Sequence, residues 1–283
     1  MKFKLENLNL PKVSAAGMRI LDVLAKDDYS INDIAVVVAE DPTLSGMMLK
    51  YANSPLYRRY QEVTSVRNAI NLLGVKNVKL VVTLAAMRSF SEVRSIAVEK
   101  LWEHSFSIAL ISKLIGTHIS RQLAEEMEFT GIIHDISSMT LAANFPETCD
   151  EQLKLTTEEQ GYDQLEQQVF ELERGPLIDW ISATLHIPSA SMTAIKRLYG
   201  IDEESELSDE TAATNEENAQ CQASILALAH HIDQQLHEGD LIVVYQHLNQ
   251  PVPTLLEELN LNEAQLASII EESREKLSER FMF

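Results

Sequence analysis

Apolar positions recur along most of this chain with the spacing of one helix face, and alternation of the kind that marks a strand is absent at any useful length. Ser30 and Asp33 form a capping-box pair ahead of Ile34, Val37 and Val38, and Asp41-Pro42 supplies an N-cap with proline at the first helical position. Leu44, Met48 and Tyr51 continue that helix at i, i+4, i+7 until Asn53-Ser54-Pro55 ends it. Ser65 caps a segment carrying Val66, Ala69, Ile70 and Leu73, with Gly74 at its C-terminal end, and Asn77 is read as the start of the next helix. In that helix Val78, Val81, Val82 and Ala85 form one apolar stripe that must pack on neighbours.

From Leu101 to Ile119 the histidine at 104 shares a face with Ile108, Ile111 and Ile115, so it is expected to point inward. Leu123, Met127, Thr130 and His134 repeat this arrangement one helix later, with Asp135 adjacent. Two inward histidines and a carboxylate are therefore expected to converge. Polar helix follows Pro146, and a largely apolar stretch runs from Gly175-Pro176 to Pro188. A short helix around Ala194-Ile195 ends at Gly200. Residues 201–218 hold eight acids and no Lys or Arg, which predicts a solvated acidic loop. Helical patterning returns from Ile225 to Leu236 and ends in Leu266, Ile270, Leu277 and Phe281. On that last portion His230, Asp233 and His237 share a face and are read as a solvated helix side.

Charge and composition narrow the function classes. The 283 residues carry 14 Lys+Arg and 10 Asp+Glu within 1–100, against 9 and 33 in the remainder, for a net charge of −20. Acidity of that degree opposes phosphate backbones, so no nucleic-acid partner is expected. The basic excess near the N-terminus, including Arg58, Arg59 and Arg67, marks a candidate docking patch for an acidic partner or a small anionic effector. Apolar runs are too short to span a bilayer and no secretory h-region follows Met1, so the expectation is a cytoplasmic chain without membrane insertion. Cys149 and Cys221 have no metal-ligand or disulfide spacing and read as small buried hydrophobes. Nine scattered glycines build no phosphate loop, and the serine-hydrolase elbow and HExxH motifs are missing.

Several spaced motifs carry a family resemblance. Leu10-Pro11, Ala39-Glu40-Asp41-Pro42, Ala52-Asn53-Ser54-Pro55-Leu56-Tyr57, Ala69-Ile70 and Leu73-Gly74 precede Leu101-Trp102-Glu103-His104-Ser105 and Gly131-Ile132-Ile133-His134-Asp135-Ile136. Together they resemble the HDOD family, the HD-related output domains of bacterial signalling proteins, over roughly residues 5–200. The resemblance implies an all-α fold in which an N-terminal helical bundle (1–95) packs on a degenerate HD-type bundle (96–200), followed by the acidic loop (201–218) and C-terminal helices (219–283) that complete it. It also implies descent from metal-dependent phosphohydrolases, whose ligand positions fall here on Arg174 and Leu198-Tyr199, with the late aspartate near Ala229-His230. His104, His134 and Asp135 survive as remnants of that site, too few for a hydrolytic two-metal centre. No catalytic residue, no cofactor and no bound metal are therefore expected. The implied function is a non-enzymatic regulatory module that meets a signalling protein supplied in trans, with Arg58, Arg59, Arg67, Asn53 and Ser54 as candidate interaction residues. The runner-up is a weak metal-dependent phosphohydrolase or nucleotide phosphodiesterase that recruits His230 or Glu166 as extra ligands.

Overall fold

The computed structural model describes residues 4–10, 13–24, 29–54, 57, 62–157, 161–171, 173–185, 187–201, 210–237 and 250–278. Its regular elements are all helical among those residues, so the expected all-α class holds. The chain divides into two compact units, one of Pro11–Glu92 with Glu275–Phe283 and the other of Met1–Leu10 with Val93–Arg274.

The smaller unit contains α1 (Ala15–Leu24), α2 (Ile31–Ala39), α3 (Pro42–Ala52), α4 (Val66–Leu73) and α5 (Val75–Met87). Local chemistry sets these boundaries. Ser30 caps α2 through a reciprocal box with Asp33, and Asp41 caps α3 by accepting from the Thr43 and Leu44 amides at 2.9 and 3.1 Å. Gly74, at φ 81°, turns the chain sharply enough that α5 begins at Val75 rather than at Asn77. Asn77 is instead buried inside α5, donating to Tyr57 Oη and to the Leu73 carbonyl. Ile20, Ile34, Val38, Met48, Ile70, Val78 and Val81 are fully enclosed and form the core of this unit.

The larger unit contains α6 (Ile96–Thr117), α7 (Arg121–Ile133), α8 (Ile136–Asn144), α9 (Pro146–Leu155), α10 (Tyr162–Phe170), α11 (Arg174–Leu185), α12 (Ser189–Leu198), α13 (Glu210–Leu236) and α14 (Val252–Glu258), while α15 (Glu263–Ser278) runs across the division. Asn9 exchanges two hydrogen bonds with Asn144, which explains why the first ten residues group with α8 rather than with α1. Helix α6 is anchored at its start, where Ser95 caps it and Asp150 of α9 accepts from Ser95 Oγ and from the Ala97 amide. Helices α6 and α7 run antiparallel at very close range. A β-carbon placed on Gly131 would lie 2.7 Å from Ala109 Cα, and one on Gly116 would lie 2.7 Å from Ala124 Cα. Two glycine–alanine crossings thus let the backbones of the two histidine-bearing helices touch.

The acidic stretch departs from expectation. Residues 202–209 lie outside the described residues, but from Glu210 onward the segment is the beginning of α13, not a loop. Arg197 gives the reason: its guanidinium pairs with the Glu216 carboxylate and donates to the Glu216 carbonyl at 3.1 Å, neutralising part of the acidic run against α12. Cys149 is buried as expected, whereas Cys221 is only partly covered. No single helix among the described residues is long and apolar enough to cross a membrane.

Candidate functional site

The inward faces read from the sequence meet in the larger unit. His104 lies on α6 beside fully buried Ile108, Ile111 and Ile115. His134 follows the last residue of α7, where the helix breaks, and Asp135 opens α8 without using its carboxylate as a cap. That carboxylate is consequently available to neighbours. Its Oδ2 lies 3.2 Å from His134 Nε2 and 3.7 Å from His104 Nε2, while its Oδ1 accepts the hydroxyl of Tyr199 at the end of α12.

A third histidine joins them from α13. The His230 ring centroid is 5.0 Å from that of His104 and 4.8 Å from that of His134, and the latter two are 5.1 Å apart. Asp233, one turn further, accepts from His104 Nδ1 at 2.8 Å and from the Ser107 hydroxyl. The face holding His230, Asp233 and His237 is therefore not solvated as the sequence reading had it. His230 and Asp233 are 6% and 2% exposed, and His237, further out, bonds back to Asp233. Residues 222–230 of α13 are buried without interruption, so no polar side remains for water.

Beside this cluster sits a second polar group. Glu166 of α10 accepts from Ser138 of α8 and from the Arg174 guanidinium, whose Cζ lies 4.1 Å from the centre of the Tyr199 ring. Arg174 and Tyr199 thus tie Glu166 to Asp135 through a stacked and hydrogen-bonded bridge.

Electrostatics follow from burial and pairing. Burial alone would lower the His104 pKa, but the Asp233 hydrogen bond and the negative charges of Asp233 and Asp135 outweigh it and raise it. Burial followed by the charges of His134 and His104 pushes His230 well below the ordinary histidine value. Burial opposes ionisation of Asp135 and Asp233, yet the adjacent histidines and hydroxyls hold both carboxyls below the usual range. Glu166 behaves otherwise: burial pushes it up to about 7 in spite of Arg174. Asp233 thus favours the charged form of His104, while burial and the neighbouring histidines favour the neutral form of His230.

Residues elsewhere on the candidate list fare differently. Asn53 spends its amide on the main chain, donating to the Leu49 and Val63 carbonyls and accepting from the Val63 amide, so it closes a loop instead of facing a partner. Ser54 is buried, 1% exposed, and is likewise removed from any surface. These placements favour a structural role for both over direct ligand binding. Arg67 is exposed on α4, and Arg58 and Arg59 lie outside the described residues.

A two-metal hydrolytic centre of the kind the family resemblance implies is a poor match to the side chains at its further ligand positions. The positions that the family resemblance assigns to further ligands carry Arg174, a cation bonded to Glu166, and Leu198, which has no donor atom. Tyr199 and Asp135 already satisfy one another.

Comparison with known proteins agrees with this architecture. The HDOD domain model matches residues 10–200. An HDOD domain protein of unknown function from Geobacter sulfurreducens superposes with a TM-score of 0.71 at 20% identity, over 99% of this chain and 96% of its own. A Marinobacter aquaeolei VT8 structure whose name suggests signal transduction gives 0.67 at 18% identity, over 97% of this chain and 58% of its own. A Shewanella amazonensis SB2B structure whose name suggests a metal-dependent phosphohydrolase gives 0.64 at 16% identity, over 98% and 94%. At such identities the structural likeness establishes the fold alone. No curated protein matches the chain. With its motifs matched over two thirds of its length, this chain belongs to the HDOD domain family.

Proposed function

We propose that this chain is a non-catalytic bacterial signal-transduction module that acts by contacting a signalling protein supplied in trans. The observation that carries the reading is the closure of the HD-type centre. His104, His134, Asp135, His230 and Asp233 are all buried, and the carboxylates that would hold hydrolytic metals are engaged by Tyr199, His104, Ser107 and their neighbours. A phosphoester and its attacking water must reach the centre from solvent, and side chains no more than 6% exposed restrict that access. What is left to the chain is its surface, with exposed Arg67 as the described member of the basic docking patch and a small anionic effector as a second candidate ligand for it.

The reading is tested by turnover. Purified protein is assayed on phosphomonoesters, phosphodiesters and cyclic dinucleotides with Mg²⁺, Mn²⁺, Fe²⁺ or Zn²⁺. Background rates, equal in wild type and His134→Ala, are expected. Hydrolysis that disappears in His134→Ala would replace this reading with the phosphohydrolase one, which the convergence of three histidines favours.

A further inference from the structure

Tyr162 and Glu166 stand at i and i+4 on α10, so both side chains leave the helix on one face and enter the packed interior of the larger unit. They are 0% and 3% exposed. Their polar atoms fare unequally. Glu166 Oε2 accepts from the Ser138 hydroxyl of α8 at 3.0 Å and from the Arg174 guanidinium of α11. Glu166 Oε1 and the Tyr162 hydroxyl are shut off from solvent, and neither is hydrogen-bonded among the described residues. The Cys149 thiol of α9 stands beside that hydroxyl, but sulfur is a weak partner and the pair falls short of a well-formed bond. A phenol and a carboxylate oxygen left unmatched in such surroundings are costly.

We propose that a single internal water molecule is bound between Tyr162 Oη and Glu166 Oε1, completing a polar node that joins α8, α9, α10 and α11. The two oxygens are neighbours without bonding one another: after burial, the charge of Glu166 is the largest influence raising the Tyr162 pKa. A water in that place accepts from the phenol and donates to the carboxylate, and the Cys149 sulfur supplies a third contact, the usual number for an enclosed water.

Other occupants fit less well. A metal ion would find one carboxylate oxygen beside a phenol and a thiol that both keep their protons, since burial followed by the Glu166 charge pushes Cys149 up to about 12. An anion would lie against the carboxylate. Water also serves Glu166 in either protonation state, donating to the carboxylate and accepting from the acid, whereas a fixed donor would suit only one. Through Arg174 and Tyr199 the same carboxylate is tied to Asp135, so the water forms the outer end of a hydrogen-bonded and stacked chain that runs to the HD-type centre.

The test is a high-resolution crystal structure of the full chain, as wild type and as Tyr162→Phe. One ordered peak with the density of water is expected in the wild type, at about 2.5–3.0 Å from both Tyr162 Oη and Glu166 Oε1. Tyr162→Phe is expected to lose it. Tyr162 and Glu166 bonded directly with no peak between them, a peak with the anomalous scattering of an ion, or a water retained unchanged in Tyr162→Phe would each overturn the proposal. Should Tyr162→Phe not fold, the wild-type map decides alone: the peak on both oxygens supports the water, and its absence overturns it.

Discussion

Replacing Gly131 by alanine is expected to pry α6 from α7 at the level of His134. The new β-carbon would sit 2.7 Å from Ala109 Cα, 2.9 Å from its amide nitrogen and 3.1 Å from the Ile108 carbonyl, all main-chain atoms that cannot rotate away. Ordinary contact begins at 3.4 Å, so the helices must separate by about 0.7 Å. Overpacking of this kind costs about 1–3 kcal/mol, and the better helix propensity of alanine returns up to about 1 kcal/mol. A net loss of about 1–2 kcal/mol is the expectation. Gly46 on α3 is the matched control, because its β-carbon would meet nothing within 4 Å, and Gly46→Ala is expected to stabilise by about 0.5–1 kcal/mol. Urea unfolding reads both: Trp102 and Trp180 report by fluorescence on the unit that holds Gly131, and far-UV circular dichroism reports on α3. A Gly131→Ala protein as stable as wild type would refute the main-chain contact between α6 and α7 on which the placement of His134 depends.

Four further outcomes follow from the same structure. Glu166 titrates near 7 when folded against 4.5 unfolded, so its contribution to stability is full below about pH 4.5 and is lost as pH rises through 7; the difference is about 3 kcal/mol, and Glu166→Gln should flatten that part of the stability–pH curve. An unchanged slope in that variant would show that Glu166 is ionised throughout. Tyr199→Phe removes the hydroxyl that Asp135 accepts in a buried setting and should cost about 1–3 kcal/mol in denaturant unfolding. Ser30→Ala breaks the capping box of α2 and should cost about 1 kcal/mol, measured in the same way. Arg67→Glu, on the exposed side of α4, should change unfolding by less than about 0.5 kcal/mol while weakening binding of an acidic partner peptide.

The sequence exposed one half of the centre and hid the other for physical reasons. His104 and His134 each sit at helical spacing from isoleucine, leucine or methionine, so their direction is readable from period alone. His230 and Asp233 stand on a helix enclosed on nearly all sides, where small and apolar residues surround every polar one and no stripe emerges. The acidic run upstream added to the error by suggesting solvent, although Arg197 pins its second half against α12 as helix. Arg174 and Tyr199 were legible as lost ligands, but their actual work, bridging Glu166 to Asp135, depends on α11 and α12 meeting α8 and α10 in space. The place of Asn53 at a helix end before Pro55 suggests backbone bonding, but its partner Val63 depends on how the chain returns and is not written in the local sequence.

Closure of the HD-type centre is the claim on which the rest depends, and histidine accessibility measures it directly. Native, chelator-treated protein is exposed to diethyl pyrocarbonate and each histidine is followed by peptide mass spectrometry. The account predicts prompt modification of His118 and protection of His104, His134 and His230 until the chain is unfolded; modification of His134 or His230 in the native chain at a rate comparable to His118 would contradict it.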